Sequence, residues 1–211
     1  MEIHHDTLAA HRLVHYDVCR AVADRLRPAL IHATAMHARP LSYLRLQMRL
    51  LQLALCNRWL ATSDVAGSYD QLAPAYDAAW LAHLTPVTDR LLSATPHGIN
   101  GHIIDLGCGT GYSSAWLAQH NPAARISLVD CSPAMLAHAR QRVCAPRATP
   151  VCADMLSFLR AQPPRSAQLV FSAWAIGYSI PAQIIREAGR VLAPGGTLAF
   201  VVNSAGTLRP V

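Results

Sequence analysis

Apolar positions along the chain follow two rhythms. Between residues 6 and 62 they recur at helical spacing, most regularly where Leu41, Leu44, Met48, Leu51 and Leu55 repeat every three or four residues. Leu46, Leu50, Leu53 and Leu60 widen that stripe, as in a helix buried on more than one side. The pattern predicts helix throughout this region. The first helix is capped by Asp6 or Thr7 and runs to about Arg27, and Pro40 divides a second segment from a third. A further helical stretch covers 64–84, broken or kinked at Pro74. Residues 93–102, SATPHGINGH, are rich in turn formers and read as a linker.

Beyond the linker, short apolar runs alternate with helical stretches. They are IIDL at 103–106, a helix at 112–120, RISLV at 125–129, a helix at 133–143 and TPVCA at 149–153. A short helix, AQLVFS at 167–172, a helix at 181–192 and TLAFVV at 197–202 follow. This alternation predicts right-handed βαβ units and a parallel sheet covered on both faces. The expected organisation is a helical N-terminal extension and lid, residues 1–92, and an α/β domain, residues 93–211.

The first of these strands ends in the turn DLGCGTGY. Asp105 closes the strand, and Gly107, Gly109 and Gly111 form the turn. Missing side chains let backbone approach a ligand, and free N–H groups at the helix start face it. The dinucleotide pattern G-x-G-x-x-G fails here. Its third glycine comes one position early, and Tyr112 stands where Gly or Ala is required. The P-loop pattern fails because the chain has no lysine. Asp130 ends the second strand, where a carboxylate can accept both hydrogen bonds of a ribose diol. Asp154 follows the third strand, placed to receive an exocyclic adenine amine with Met155 packed on the ring. Asp154 also suits a helix N-cap, and the two roles are compatible. Together these positions ask for a nucleoside without phosphates, with a charged tail near Asp105.

In order and spacing, D-L-G-C-G-T-G, then V-D-x-S-P-x-M-L, then A-D, then V-L-A-P-G-G-T-L resemble the class I S-adenosylmethionine-dependent methyltransferases over residues 64–203. The resemblance implies a doubly wound, Rossmann-like parallel sheet of order 3-2-1-4-5 with an N-terminal helical cover. It implies that Gly107, Gly109 and Gly111 line the methionine and ribose of S-adenosylmethionine. Asp130 would hold the ribose hydroxyls, and Asp154 and Met155 the adenine. Cys108, Cys131 and Met135 belong to the same cofactor-binding set. The stretch YDQLAPAYD at 69–77 resembles the element that folds over the methionine part in small-molecule members, so Tyr69 and Tyr76 would close the site. Both tyrosines also suit an ordinary aromatic core. Gly195 and Gly196 would turn the chain before the fifth strand.

Two departures from the family pattern stand out. The usual sixth and seventh strands have no counterpart before residue 211, so either something else finishes the sheet and covers the fifth-strand edge, or further chain follows the sequence given. The helical N-terminus or a second subunit, as in a homodimer, would provide one. The fourth strand ends in FSAWAIGYSI, without the N-P-P-Y or D-P-P-Y of amino-group methyltransferases. No acid occurs between Asp154 and Glu187, so no general base is visible at that strand end. Trp174 and Tyr178 stand there instead, suited to cation–π contact with a sulfonium. Asn203 and Ser204, at the end of the fifth strand, are further catalytic candidates.

Three functions compete. The first is in-line methyl transfer from S-adenosylmethionine to a small molecule. The second follows a looser resemblance to the azetidine-2-carboxylate synthases, which cyclise S-adenosylmethionine itself with release of methylthioadenosine and need no second substrate. The third is a non-catalytic cofactor-binding subunit.

Composition narrows the setting. Hydrophobic residues make up 52% and charged residues 14%, which excludes a disordered tail. No apolar run has the length of a membrane span, and the N-terminus has no signal pattern, so a cytoplasmic protein without a membrane is expected. None of the six cysteines forms a C-x-x-C pair, and His11 and His15 have no third ligand at a recognisable spacing, so no metal is expected. The net charge is +6, all of the basic residues being arginine. Arg25, Arg27, Arg39, Arg45, Arg49 and Arg58 are spread out rather than clustered, as on a solvated helix face, so no nucleic-acid partner is expected.

Overall fold

A computed structural model describes residues 12–16 and 62–202. Its centre is a six-stranded, all-parallel sheet of order β1-β6-β5-β2-β3-β4. The strands are β1 (Arg12–Tyr16), β2 (His102–Leu106), β3 (Arg125–Asp130), β4 (Ala148–Cys152), β5 (Ala167–Ala173) and β6 (Leu192–Val201). The last five, read from β4 to β6, have the order 3-2-1-4-5 expected of the α/β domain. The helices are α1 (Thr62–Tyr76), α2 (Ala82–Ser93), α3 (Tyr112–His120), α4 (Pro133–Arg142), α5 (Met155–Ala161) and α6 (Pro181–Val191).

Strand side chains alternate between two cores, as a sheet buried on both faces requires. Ile103, Leu128, Leu169 and Phe171 pack with Leu91, Leu92 and Leu117 on the side of α2 and α3. Ile104, Leu106, Val129 and Val170 pack with Phe158, Leu159, Ile184 and Val191 on the side of α5 and α6. All of Ile103, Ile104, Leu106, Leu169, Val170 and Phe171 are fully buried.

Helix starts follow their local chemistry. Pro133 opens α4, and the Ser132 hydroxyl caps it by accepting from Met135 N at 3.1 Å. Pro181 opens α6 in the same way. The helical stretch anticipated at 64–84 is split. Pro74 cannot donate to the helical ladder, and after Tyr76 the chain widens into a π-turn over Asp77–Leu81 before α2 resumes. The linker at 93–102 is a turn region between α2 and β2. Between Ala167↔Leu192 and Leu169↔Thr197 the β6 register jumps, and Gly195, at φ 78°, makes that excursion.

One expectation is corrected. Residues 12–16 are a strand, not part of a first helix, and run parallel to β6 from Arg12↔Thr197 to Tyr16↔Val201. The run RLVHY is short and carries a β-branched and an aromatic residue, so periodicity alone does not separate helix from strand there. The open edge of β6 decides the matter by offering a row of unpaired backbone groups. The remaining helices anticipated before residue 62, and the bounds of the N-terminal extension, lie outside the described residues. None of the described helices is long and apolar enough to cross a membrane.

Candidate functional site

A cavity of about 300 Å³ opens at the carboxyl ends of β2, β3, β4 and β5, with α1, the π-turn and the start of α2 as its roof. Ligands of doubly wound sheets bind at this end of the strands. The sheet contributes Gly107, Gly109, Asp130, Cys131, Asp154 and Met155. The roof contributes Tyr69, Leu72, Tyr76, Trp80 and Leu84. Met135 from α4 and the β5 end, Trp174 and Tyr178, complete it.

The floor is built around Asp130. Its Oδ2 accepts from Gly109 N at 2.9 Å, and its Oδ1 accepts from Ser132 N at 2.9 Å. Burial pushes its pKa up, while the backbone N–H groups of Ser132 and Gly109 pull it back. Each oxygen keeps acceptor capacity for a second donor. Gly107 and Gly109 both adopt left-handed φ, 67° and 54°. A Cβ on Gly109 would meet nothing within 4 Å, whereas one on Gly107 would lie 2.1 Å from the Ala175 Cβ. The turn therefore leaves open space above Gly109 and clamps Gly107 under the β5 end.

The third glycine does something else. Gly111, at φ 83°, is the N-cap of α3, and a Cβ there would lie 2.9 Å from the Ala139 Cα. It lets α3 approach α4 and does not line the cavity. Cys108 and Asp105, also expected at the ligand, are likewise turned inward. Cys108 is buried, and burial raises its pKa. Asp105 is only 1% exposed, lies on the α3 side of β2 and accepts from Ser114 Oγ at 2.6 Å. Burial raises its pKa to about 7, the Ser114 bond working the other way. Strand alternation explains the placement, because Asp105 shares its face with Ile103.

Asp154 caps α5, its Oδ1 accepting from Ser157 N at 2.9 Å, and also lines the cavity. Tyr69 and Tyr76 pack at 6.0 Å between ring centres, and Tyr178 stands edge-on to Tyr69 at 5.8 Å. Burial is the main cause raising both phenol pKa values, that of Tyr76 to about 12. Trp174 has φ 65°, a left-handed conformation rare for a bulky residue. It is held there from two sides, with its N donating to Val201 O at 2.8 Å and its Nε1 donating to Thr88 Oγ1 at 3.0 Å. Asn203 and Ser204 lie outside the described residues. Among the described residues no group of three or more His, Cys, Asp or Glu side chains is arranged for a metal ion.

The roof is tied down by residues that sequence reasoning missed. Asp70 Oδ1 accepts from Ser132 Oγ at 2.6 Å and from Ala134 N at 3.1 Å, docking α1 on the start of α4. Asp77 accepts from Thr110 Oγ1 at 2.7 Å and pairs with Arg142, which also donates to Thr110 Oγ1 at 2.8 Å. Leu72, Trp80 and Leu84 were missed as lining residues too. Their helical spacing fits one face, but nothing local says what that face covers.

Comparison with known proteins agrees with this architecture. Residues 103–196 match the family described as "Methyltransferase domain". A malonyl-[acyl-carrier protein] O-methyltransferase of Dechloromonas aromatica is 36% identical over 135 residues, 63% of this chain and 48% of that protein. A trans-aconitate 2-methyltransferase of Paracidovorax citrulli is 37% identical over 115 residues, 53% of this chain and 42% of that protein. The chain thus spans about half the length of these relatives. In fold it is similar to a chain from the Haloferax volcanii complex between a methyltransferase activator and a methyltransferase. The TM-score is 0.57 at 24% identity, over 63% of this chain and 58% of that one.

Proposed function

We propose that the protein, whose residues 103–196 match the family described as "Methyltransferase domain", binds S-adenosylmethionine in the cavity over β2–β5 and methylates a small molecule. Bound there, S-adenosylmethionine supplies an electrophilic methyl group on a positively charged sulfur. The observation that carries the reading is the Asp130 floor. A carboxylate fixed by two backbone N–H groups sits beside a glycine turn open above Gly109, with two acids and no phosphate-binding lysine.

On this reading Asp130 would hold the ribose hydroxyls, and Asp154 and Met155, which also line the cavity, would hold the adenine. Tyr69, Tyr76 and Tyr178 line the cavity, where a ring face set against the sulfonium would contribute about 0.5–2 kcal/mol. Held under α1 and the π-turn, the acceptor would be kept in line with the methyl–sulfur bond, which is where such a site gains its rate.

Calorimetry tests the binding half. S-adenosylmethionine is expected to bind the wild type, and Asp130→Ala to weaken it about tenfold or more, since hydrogen bonds to a charged group contribute about 1.5–3 kcal/mol. Mass spectrometry tests the chemistry. S-adenosylhomocysteine should form only with an acceptor present. Methylthioadenosine formed from S-adenosylmethionine alone, above the protein-free background and together with azetidine-2-carboxylate, would show cyclisation instead and overturn the proposal.

A further inference from the structure

Trp174 stands at a bend on which three lining residues depend. It lines the cavity together with Ala175, which follows it, and Tyr178, which ends the short turn Ile176–Tyr178. Ala175 presses on the glycine turn, since a Cβ on Gly107 would lie 2.1 Å from its own. The direction of the chain after Trp174 therefore sets both the contact with Gly107 and the place of the Tyr178 ring. That direction depends on the φ of 65°, which a bulky residue keeps only under outside constraint.

Of the two bonds that hold Trp174, only one can select that φ. Rotation about N–Cα leaves the N–H where it is and swings the Cβ and the carbonyl. The bond from Trp174 N to Val201 O is therefore indifferent to φ. The bond from the indole Nε1 to Thr88 Oγ1 at 3.0 Å is not, because it fixes where the side chain lies. Thr88 is set up as the acceptor. It lies on α2, is 4% exposed, and gives its one hydroxyl proton to Leu84 O at 2.9 Å, which leaves its lone pairs for the indole. We infer that Thr88, 86 residues from Trp174 in sequence, is a positioning residue of this site. Through the indole it holds the end of β5 in the shape that ligand binding requires, although it does not itself line the cavity. The inference rests on the reading above that S-adenosylmethionine binds there. A role in packing alone would be filled by valine, which has the same volume; a positioning role needs the hydroxyl.

The test is a double-mutant cycle on the full chain, read by calorimetry with S-adenosylmethionine and by NMR of the indole N–H groups. Thr88→Val removes the acceptor, Trp174→Phe removes the donor and keeps a ring, and Thr88→Ser keeps the hydroxyl. Thr88→Val should raise the Kd about tenfold, the effect of one buried donor left without its partner, and Thr88→Ser should stay within about twofold of the wild type. The double variant should bind no worse than Trp174→Phe alone, because two groups that act through one bond are not additive. The indole signal absent from Trp174→Phe belongs to Trp174; it should move in Thr88→Val and keep its place in Thr88→Ser. Thr88→Ala supplies the same cycle should the valine variant not fold. Losses that multiply in the double variant would overturn the inference, as would a Kd that Thr88→Val leaves unmoved or an indole signal that stays in place while the Kd rises. In those cases S-adenosylmethionine still binds the wild type and only the role of Thr88 fails. If S-adenosylmethionine does not bind the wild type, the methyl-transfer reading fails and takes this one with it.

Discussion

Three glycines in one turn have three different jobs. Gly109 leaves space, Gly107 is clamped by Ala175, and Gly111 admits Ala139. Substitution should separate them. Gly111→Ala forces a left-handed alanine against main chain that cannot retreat, and should cost about 2 kcal/mol or more. Thermal unfolding should record a fall in Tm of about 4 °C or more for a chain of this size. Gly109→Ala bears only the backbone strain, about 1–2 kcal/mol. Its methyl points into the cavity, so calorimetry should show it losing more S-adenosylmethionine affinity than Gly111→Ala does. Equal affinity losses in the two variants would contradict this division. The spacing of the turn was legible in the sequence. The distinction between its members was not, because it depends on Ala139 in α4, 28 residues after Gly111, and on Ala175 at the β5 end, 68 residues after Gly107.

Strand β2 carries two buried titratable groups with opposite habits. Asp105 has its pKa raised to about 7, mainly by burial, so its stabilising contribution is full below the unfolded value of about 4 and is lost as pH rises through 7. His102, 6% exposed and 2.8 Å from Ser127 Oγ, has its pKa lowered to about 4 by burial and then by Arg125. Its contribution is full above about 6.5 and is lost as pH falls through 4. Between roughly pH 4 and 7 the two slopes offset each other. Asp105→Asn should therefore leave a protein whose stability declines steadily on acidification, and His102→Gln one whose stability declines from pH 4 towards 7. Denaturant titrations across that range read both slopes. At the same scale, α1 is held by Asp70 on the start of α4. Asp70→Ala removes the acceptor for Ser132 and Ala134, and should raise proteolytic cleavage in α1 while the sheet stays protected from hydrogen exchange. Uniform loss of protection would show that the roof and the sheet unfold as one.

For the molecule as a whole, the sheet has two edges, and the β6 edge is covered by the chain's own β1. An all-parallel sheet with a bare long edge invites pairing with another chain. Leu13→Pro combined with Val14→Pro removes two adjacent backbone donors, so one of them faces β6 whichever way the strand is set. The double variant should self-associate in a concentration-dependent way by light scattering, while the starting protein at the same concentration does not. Unchanged scattering would mean that β1 is not what shields the edge.

The sequence by itself determined the alternation of strands and helices after residue 102, the strand order and the positions of Asp130 and Asp154. Those depend on short-range periodicity, turn chemistry and a motif order that the chain spells out locally. Tertiary structure decided which faces those residues took. Asp105 and Gly111 turned away from the cavity because strand alternation and helix packing placed them there. Residues 12–16 became strand because a distant edge offered hydrogen bonds that the local pattern could not foresee. Leu72, Trp80 and Leu84 became a wall because α1 and the π-turn were folded over the strand tips, an outcome set by Asp70 and Asp77 reaching partners more than 30 residues away.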